Sequence, residues 1–156
     1  MYSSKNNARH LATLGPLGYS KAPGTVGSAV ALLLVYITHR LIADFFVYTL
    51  FILASSCISL FIINKARTQF NVHDAPQIIL DEVLGCLFCF YGLTINLKIL
   101  IVGFLLFRFF DITKCFGIRR LEKLPGAWGI ISDDIACGVL TNGLLRCLLL
   151  LDILKV

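Results

Sequence analysis

Apolar positions fall in long blocks along this chain rather than in a strict alternating rhythm. The longest uncharged block, Phe45 to Asn64, runs for 20 residues. As a helix it is long enough to cross a hydrocarbon layer of ~30 Å. The other blocks are shorter or interrupted: Ser28–Thr38, Val83–Phe107 with Lys98 inside it, and Ile135–Leu151 with Arg146 inside it. The pattern predicts helical hairpins, Ser28–Thr38 with Leu41–Asn64 and Val83–Leu97 with Ile99–Phe107, followed by a last helix from Ile135. Gly92, Asn96 and Lys98 suit the turn within the second hairpin. The expected fold is all-α, a helical bundle of three to five apolar helices or hairpins integral to a membrane, not all of them crossing it. No internal repeat is visible, and the length fits a single domain over residues 1–156.

A hairpin returns the chain to the side it left, so residues 1–27, 65–82 and 108–134 are expected on one face. That face holds ten of the 14 basic residues, from Lys5 to Lys123, while Arg40, Lys98 and Lys155 fall opposite. The positive-inside bias makes it cytoplasmic, giving a multi-pass protein of the cell inner (cytoplasmic) membrane. Seven of the nine acids share the face: Asp74, Asp81, Glu82, Asp111, Glu122, Asp133 and Asp134. Acids gathered at the ends of membrane helices are costly and call for a cause.

Composition strengthens the membrane reading. The chain is 58% hydrophobic and 15% charged, with a mean hydropathy of +0.85; a soluble domain carries about 25% charged residues. The N-terminus has neither a continuous apolar core nor a small-residue cleavage site, so no secretory signal is expected. The net charge of +5 comes without basic and aromatic residues interleaved in a polar context, so nucleic acid is not an expected partner. Basic loops beside membrane segments account for it. Cys86 and Cys89 form a C-x-x-C with no second pair or nearby histidine to complete a zinc site, and the six cysteines read as small buried hydrophobes. His10, His39 and His73 do not cluster.

Four segments carry candidate chemistry. Gly15 to Ser28 is rich in Gly and Pro and opens into an apolar run, an arrangement suited to phosphate; Lys21, Thr25 and Ser28 add charge and hydroxyl donors. It lacks the order of a P-loop. Asp81-Glu82 places two adjacent carboxylates at the start of a helix, where capping needs one; a hard cation such as Mg²⁺ explains two. Arg108, Asp111 and Lys114 are spaced i, i+3, i+6, from one helical face if the preceding helix continues. They fit a structural ion-pair ladder or a phosphate clamp beside an acidic ligand. Asp133-Asp134 is a second acidic pair expected just ahead of an apolar helix. Gly138, one turn on, permits close approach of another helix, and Trp128 suits an anchor at the headgroup level.

Taken in order, Ala22-Pro-Gly-Thr-Val-Gly-Ser28, Asp81-Glu-Val-Leu-Gly85, Phe107-Arg-Phe-Phe-Asp-Ile-Thr-Lys114 and Gly129-Ile-Ile-Ser-Asp-Asp-Ile-Ala-Cys-Gly138 resemble the phosphatidylglycerophosphatase A family of bacterial membrane lipid phosphatases. The chain departs from the family pattern at Cys115 and Gly117, where prolines are usual, and at Ala127, where a glycine is usual. The resemblance implies an all-helical bundle with a phospholipid substrate. It implies Mg²⁺-dependent hydrolysis of phosphatidylglycerophosphate to phosphatidylglycerol and inorganic phosphate, the last step of phosphatidylglycerol synthesis on the way to cardiolipin.

On this reading Asp81, Glu82, Asp111, Asp133 and Asp134 are the catalytic set and hold one or two Mg²⁺, with one carboxylate as base toward a metal-activated water. Lys21, Thr25, Ser28, Arg108 and Lys114 contact the phosphate. Other phosphatase chemistries lack their residues. A C-x₅-R loop fails at Leu121, a D-x-D fails after Asp111, and histidine-based sites lack a cluster. The nucleophile stays open between water and a carboxylate. A small membrane transporter or a non-enzymatic helical membrane scaffold explains the hydrophobicity equally well, but not acids gathered beside a Gly-rich loop.

Overall fold

The computed structural model describes residues 4–70 and 75–154, all of whose regular elements are helical. His73, Asp74 and Lys155 lie outside the described residues, as does the side chain of Lys5. Six α-helices follow in order: α1 (Ser4–Ala12), α2 (Pro23–Leu41), α3 (Phe45–Ala66), α4 (Leu80–Cys89), α5 (Leu97–Thr113) and α6 (Ala127–Leu150). Short 3₁₀ turns at Leu17–Tyr19, Arg67–Gln69 and Ile118–Lys123 join them.

Local chemistry sets the boundaries. Pro23 opens α2 in the first turn, where a missing N–H costs nothing. After a three-residue connection, Asp44 caps α3 by accepting from Val47 N at 2.8 Å. Asn96 caps α5 in the same way through Ile99 N.

α2, and α3 continued through Gln69, are long and apolar enough to cross a membrane. α3 alone spans about 33 Å at ~1.5 Å per residue. It turns Tyr48, Ile52, Ser59 and Ile63 inward and leaves Phe45, Phe46, Leu53, Ile58 and Phe61 exposed. An outward face of that kind matches lipid rather than water.

The centre of the bundle is the pair α4 and α6. A Cβ on Gly138 would stand 2.2 Å from the carbonyl oxygen of Gly85, and one on Gly85 would stand 2.7 Å from that of Asp134. The two backbones therefore touch with no side chain between them, the close approach expected of Gly138. Phe107 of α5 fills the space beside Gly85, and Phe90 packs on Gly103.

α4 has 10 residues, about 15 Å of helix, too short to cross a bilayer. Its last carbonyls would be orphaned in an apolar interior. Asn142 Nδ2 donates to the carbonyls of Cys89 (2.9 Å) and Tyr91 (3.0 Å). Arg146 Nη2 donates to Tyr91 (2.9 Å) and Gly92 (3.4 Å), and its Nε donates to Asn142 Oδ1. Arg146, the charge inside the last apolar block, thus holds the turn that follows α4 and places a positive charge near that helix's negative end.

Several boundaries differ from the sequence reading. α2 begins at Pro23, five residues before Ser28. α4 stops at Cys89 instead of reaching Leu97, because the chain turns at Gly92 in the left-handed region, φ +65°. α6 begins at Ala127, not Ile135: Gly126, at φ +69° and ψ −143°, makes a turn open almost only to glycine and starts the helix early. Asp133 and Asp134 consequently lie well inside α6, not ahead of it. The expected Arg108–Asp111–Lys114 ladder is also interrupted, since α5 ends at Thr113 and Lys114 turns left-handed at φ 44°. Gly117 follows at φ +83°, a value the proline ring cannot reach, so this loop takes a path that a proline there would forbid.

Candidate active site

One end of the bundle gathers polar residues from four helices. Asp81 and Glu82 come from the first turn of α4, Asp134 from α6, Arg108 and Asp111 from the end of α5, and Gly24 and Ser28 from the start of α2. All but Ser28, which directly follows the first of them, belong to the three segments expected to share a face. The buried hydroxyl of Ser28 donates back to the carbonyl of Gly24 at 2.8 Å.

Asp81, Glu82 and Asp134 each present a carboxylate oxygen, and the three oxygens lie within 4.8 Å of one another. Asp81 and Asp134 are buried. Glu82 Oε2 is buried with no hydrogen-bond partner among the described residues. Burial pushes the Glu82 carboxyl up to about 7; the charge of Asp111 adds to this, while a hydrogen bond with Asp81 and the charge of Arg108 oppose it. Three converging carboxylates, one with an orphaned oxygen, fit a small hard cation. Carboxylate oxygens gathered this closely are the hard donor set that Mg²⁺ prefers.

Arg108 stands beside the cluster. Its Nη1 contacts Asp111 Oδ2 at 2.5 Å and donates to Ser28 Oγ at 3.5 Å. The charge of Asp111 acts on both Glu82 and Asp134, which links the guanidinium to the carboxylate cluster. Gly24 makes this meeting possible: a Cβ there would lie 2.6 Å from Glu82 Oε1 and 2.9 Å from Arg108 Nη1. Only hydrogen fits.

Asp133 and Lys114 form a separate pair. Lys114 Nζ contacts Asp133 Oδ2 at 2.5 Å and Glu122 Oε1 at 2.7 Å. Burial opposes the lysine's charge, but hydrogen bonds to Asp133 and Glu122 outweigh it and hold Lys114 above its usual range. The chain turns left-handed at Lys114, and its side chain reaches across to Asp133 of α6. Lys21 and Thr25 are exposed, and neither is among the residues that converge on the carboxylates.

Two residues here escaped the sequence reading. Gly24 was visible only as part of a Gly-rich loop, although it alone admits Glu82 and Arg108 side by side. Glu122 lay in a charged run with nothing to single it out. Of the described histidines, His10 is exposed, and His39 packs its ring edge on Tyr48 and contacts the carbonyl of Val35 at 3.0 Å. All six cysteines are free thiols, and Cys86, Cys89 and Cys137 are buried.

Comparison with known proteins gives the family. The family described as Phosphatidylglycerophosphatase A matches residues 10–149. The chain is 31% identical to the Escherichia coli (strain K12) protein named phosphatidylglycerophosphatase A, over 79% of this chain and 72% of that one. It is 32% identical to the protein of the same name from Haemophilus influenzae, over 76% and 73%. No solved structure matches the chain.

Proposed function

The chain belongs to the phosphatidylglycerophosphatase A family, and on that premise we propose that this phosphatase hydrolyses phosphatidylglycerophosphate to phosphatidylglycerol and inorganic phosphate. The observation that carries the reading is the set of three carboxylate oxygens within 4.8 Å, with the Arg108 guanidinium beside it. Asp81, Glu82 and Asp134 hold Mg²⁺, and Asp133 and Asp111 border the set. When bound, the cation neutralises charge on the phosphoryl oxygens, the main demand of phosphate-monoester hydrolysis.

The chain's own residues do the rest. Arg108 binds and orients the phosphate, kept in place by Asp111 and by the buried Ser28. Asp111 takes up the proton of the attacking water, and its closeness to Asp134 supports that role. Lys114, already shared by two carboxylates, holds Asp133 and the α5–α6 seam instead of the phosphate. Lys21 and Thr25 meet the headgroup from the rim.

α2 and α3 cross the cell inner membrane, and the site faces the cytoplasm. The apolar outer face of α3 and the basic residues at the site's end of the bundle support this arrangement. The whole chain acts as one domain, and the reaction closes phosphatidylglycerol synthesis. Purified protein in detergent is expected to release phosphate from phosphatidylglycerophosphate with Mg²⁺ and to stop with excess EDTA. A protein that releases none under either condition is a transporter or a scaffold, and the reading fails.

A further inference from the structure

A separate, mostly apolar pocket opens at the end of α3. A groove of about 490 Å³ runs between α3 and the start of α6, lined by Cys57, Leu60, Phe61, Asn64, Arg67 and the segment Pro125–Trp128. Its volume is in the range of small-molecule sites. Its wall is graded. Cys57, Leu60, Phe61 and Asn64 recur at helical spacing on one face of α3, apolar first and then polar, and Arg67 closes the end.

The Arg67 guanidinium is held by Asn64, whose Oδ1 accepts from Nε at 3.0 Å. It rests on Gly126, where a Cβ would stand 3.2 Å from Nη2. Among the described residues no carboxylate forms an ion pair with it. Lys65 adds a second cation at the rim, its ammonium 4.2 Å from the centre of the Phe61 ring. Trp128 is 56% exposed and Phe61 61% exposed at the mouth.

We propose that this groove binds an anionic phospholipid of the surrounding bilayer as a non-substrate ligand, with the headgroup phosphate on Arg67 and an acyl chain along Leu60 and Phe61. Charge complementarity at one end, and continuity with the apolar face of α3 at the other, select a lipid over a soluble anion. The groove shares no lining residue with the carboxylate cluster. Trp128 and Asp134 are six positions apart on α6, about 120° around the helix and ~9 Å along it, so a lipid here sits apart from the reacting phosphate. The inference rests on α3 lying in the membrane but not on the reaction.

Trp128 is the sole tryptophan of the sequence and reports on the groove directly. Full-length protein is reconstituted in vesicles of brominated phosphatidylcholine, and unbrominated phosphatidylserine is mixed in. A bound anionic lipid shields Trp128 from bromine beyond its mole fraction. The expected preference over phosphatidylcholine is about five-fold, the effect of one basic residue near an anionic surface. Arg67→Gln is expected to bring the ratio to about one while phosphatase activity is kept, and Arg67→Lys to retain part of it. A ratio of one in the wild type overturns the proposal whatever the variants do, as does a preference untouched by Arg67→Gln. Loss of the shielding on adding inorganic phosphate also overturns it, because the site would then take a free anion. Absence of quenching in pure brominated phosphatidylcholine overturns the membrane placement of α3 and the proposal with it, while leaving the reaction untouched.

Discussion

The two ends of the α4–α6 pair handle buried polarity in opposite ways. At the Arg146 end the main-chain carbonyls of Cys89, Tyr91 and Gly92 are each given a donor, by Asn142 or by Arg146. At the Asp134 end negative charge is in surplus: three carboxylates converge, one oxygen of Glu82 is left unsatisfied among the described residues, and the nearest cation, Arg108, is turned to Asp111. Both ends belong to the same two helices, so packing alone does not explain the contrast. The satisfied end secures the fold, and the unsatisfied end fits the cation proposed above.

That contrast can be attacked from either end. The largest effect is expected from Asp134→Asn, which removes a charge from the cluster at constant shape. Phosphate release should fall by on the order of 10³-fold or more, while the melting temperature in EDTA stays level or rises because like charges no longer oppose folding. A melting temperature that drops sharply would make Asp134 a structural residue and erase the distinction. Gly24→Ala comes next. Its methyl group competes for the space of Glu82 Oε1 and Arg108 Nη1, and displacement of about an ångström costs roughly 10²-fold in rate, read as kcat with the helical content unchanged. Arg146→Met should scarcely alter kcat per folded molecule but should lower stability by about 1–3 kcal/mol, measured by denaturant or thermal unfolding in detergent. A collapse of kcat in fully folded Arg146→Met would show the two ends to be one functional unit.

The sequence exposed the carboxylates more readily than the frame that carries them. Asp81-Glu82 stood out because adjacent acids before an apolar run exceed what a helix cap needs, and they occupy the first turn of α4 as expected. The start of α6 was hidden because Ala127-Trp-Gly-Ile-Ile-Ser is neither clearly helical nor clearly loop; only the backbone of Gly126 decides it. The end of α4 was hidden for another reason. From Leu84 to Phe90 nearly every side chain is apolar, so periodicity has no contrast to report. Lys114 read as the third rung of a helical ladder until its left-handed turn took it to Asp133 and Glu122. Arg146 stood out as a charge inside an apolar block, but nothing local showed what it and Asn142 meet, since those carbonyls lie some fifty residues away in the chain.

The contact between Gly85 and Gly138 has a consequence for how tolerant the reaction centre is of thermal motion. Because main chain rests on main chain there, the gap between the stretch bearing Asp81 and Glu82 and the one bearing Asp134 is fixed by the width of two peptide ribbons, not by rotamers that fluctuate. Any larger residue at either position acts as a wedge driven into a ruler: it resets the spacing of all three acids at once, without touching one of them.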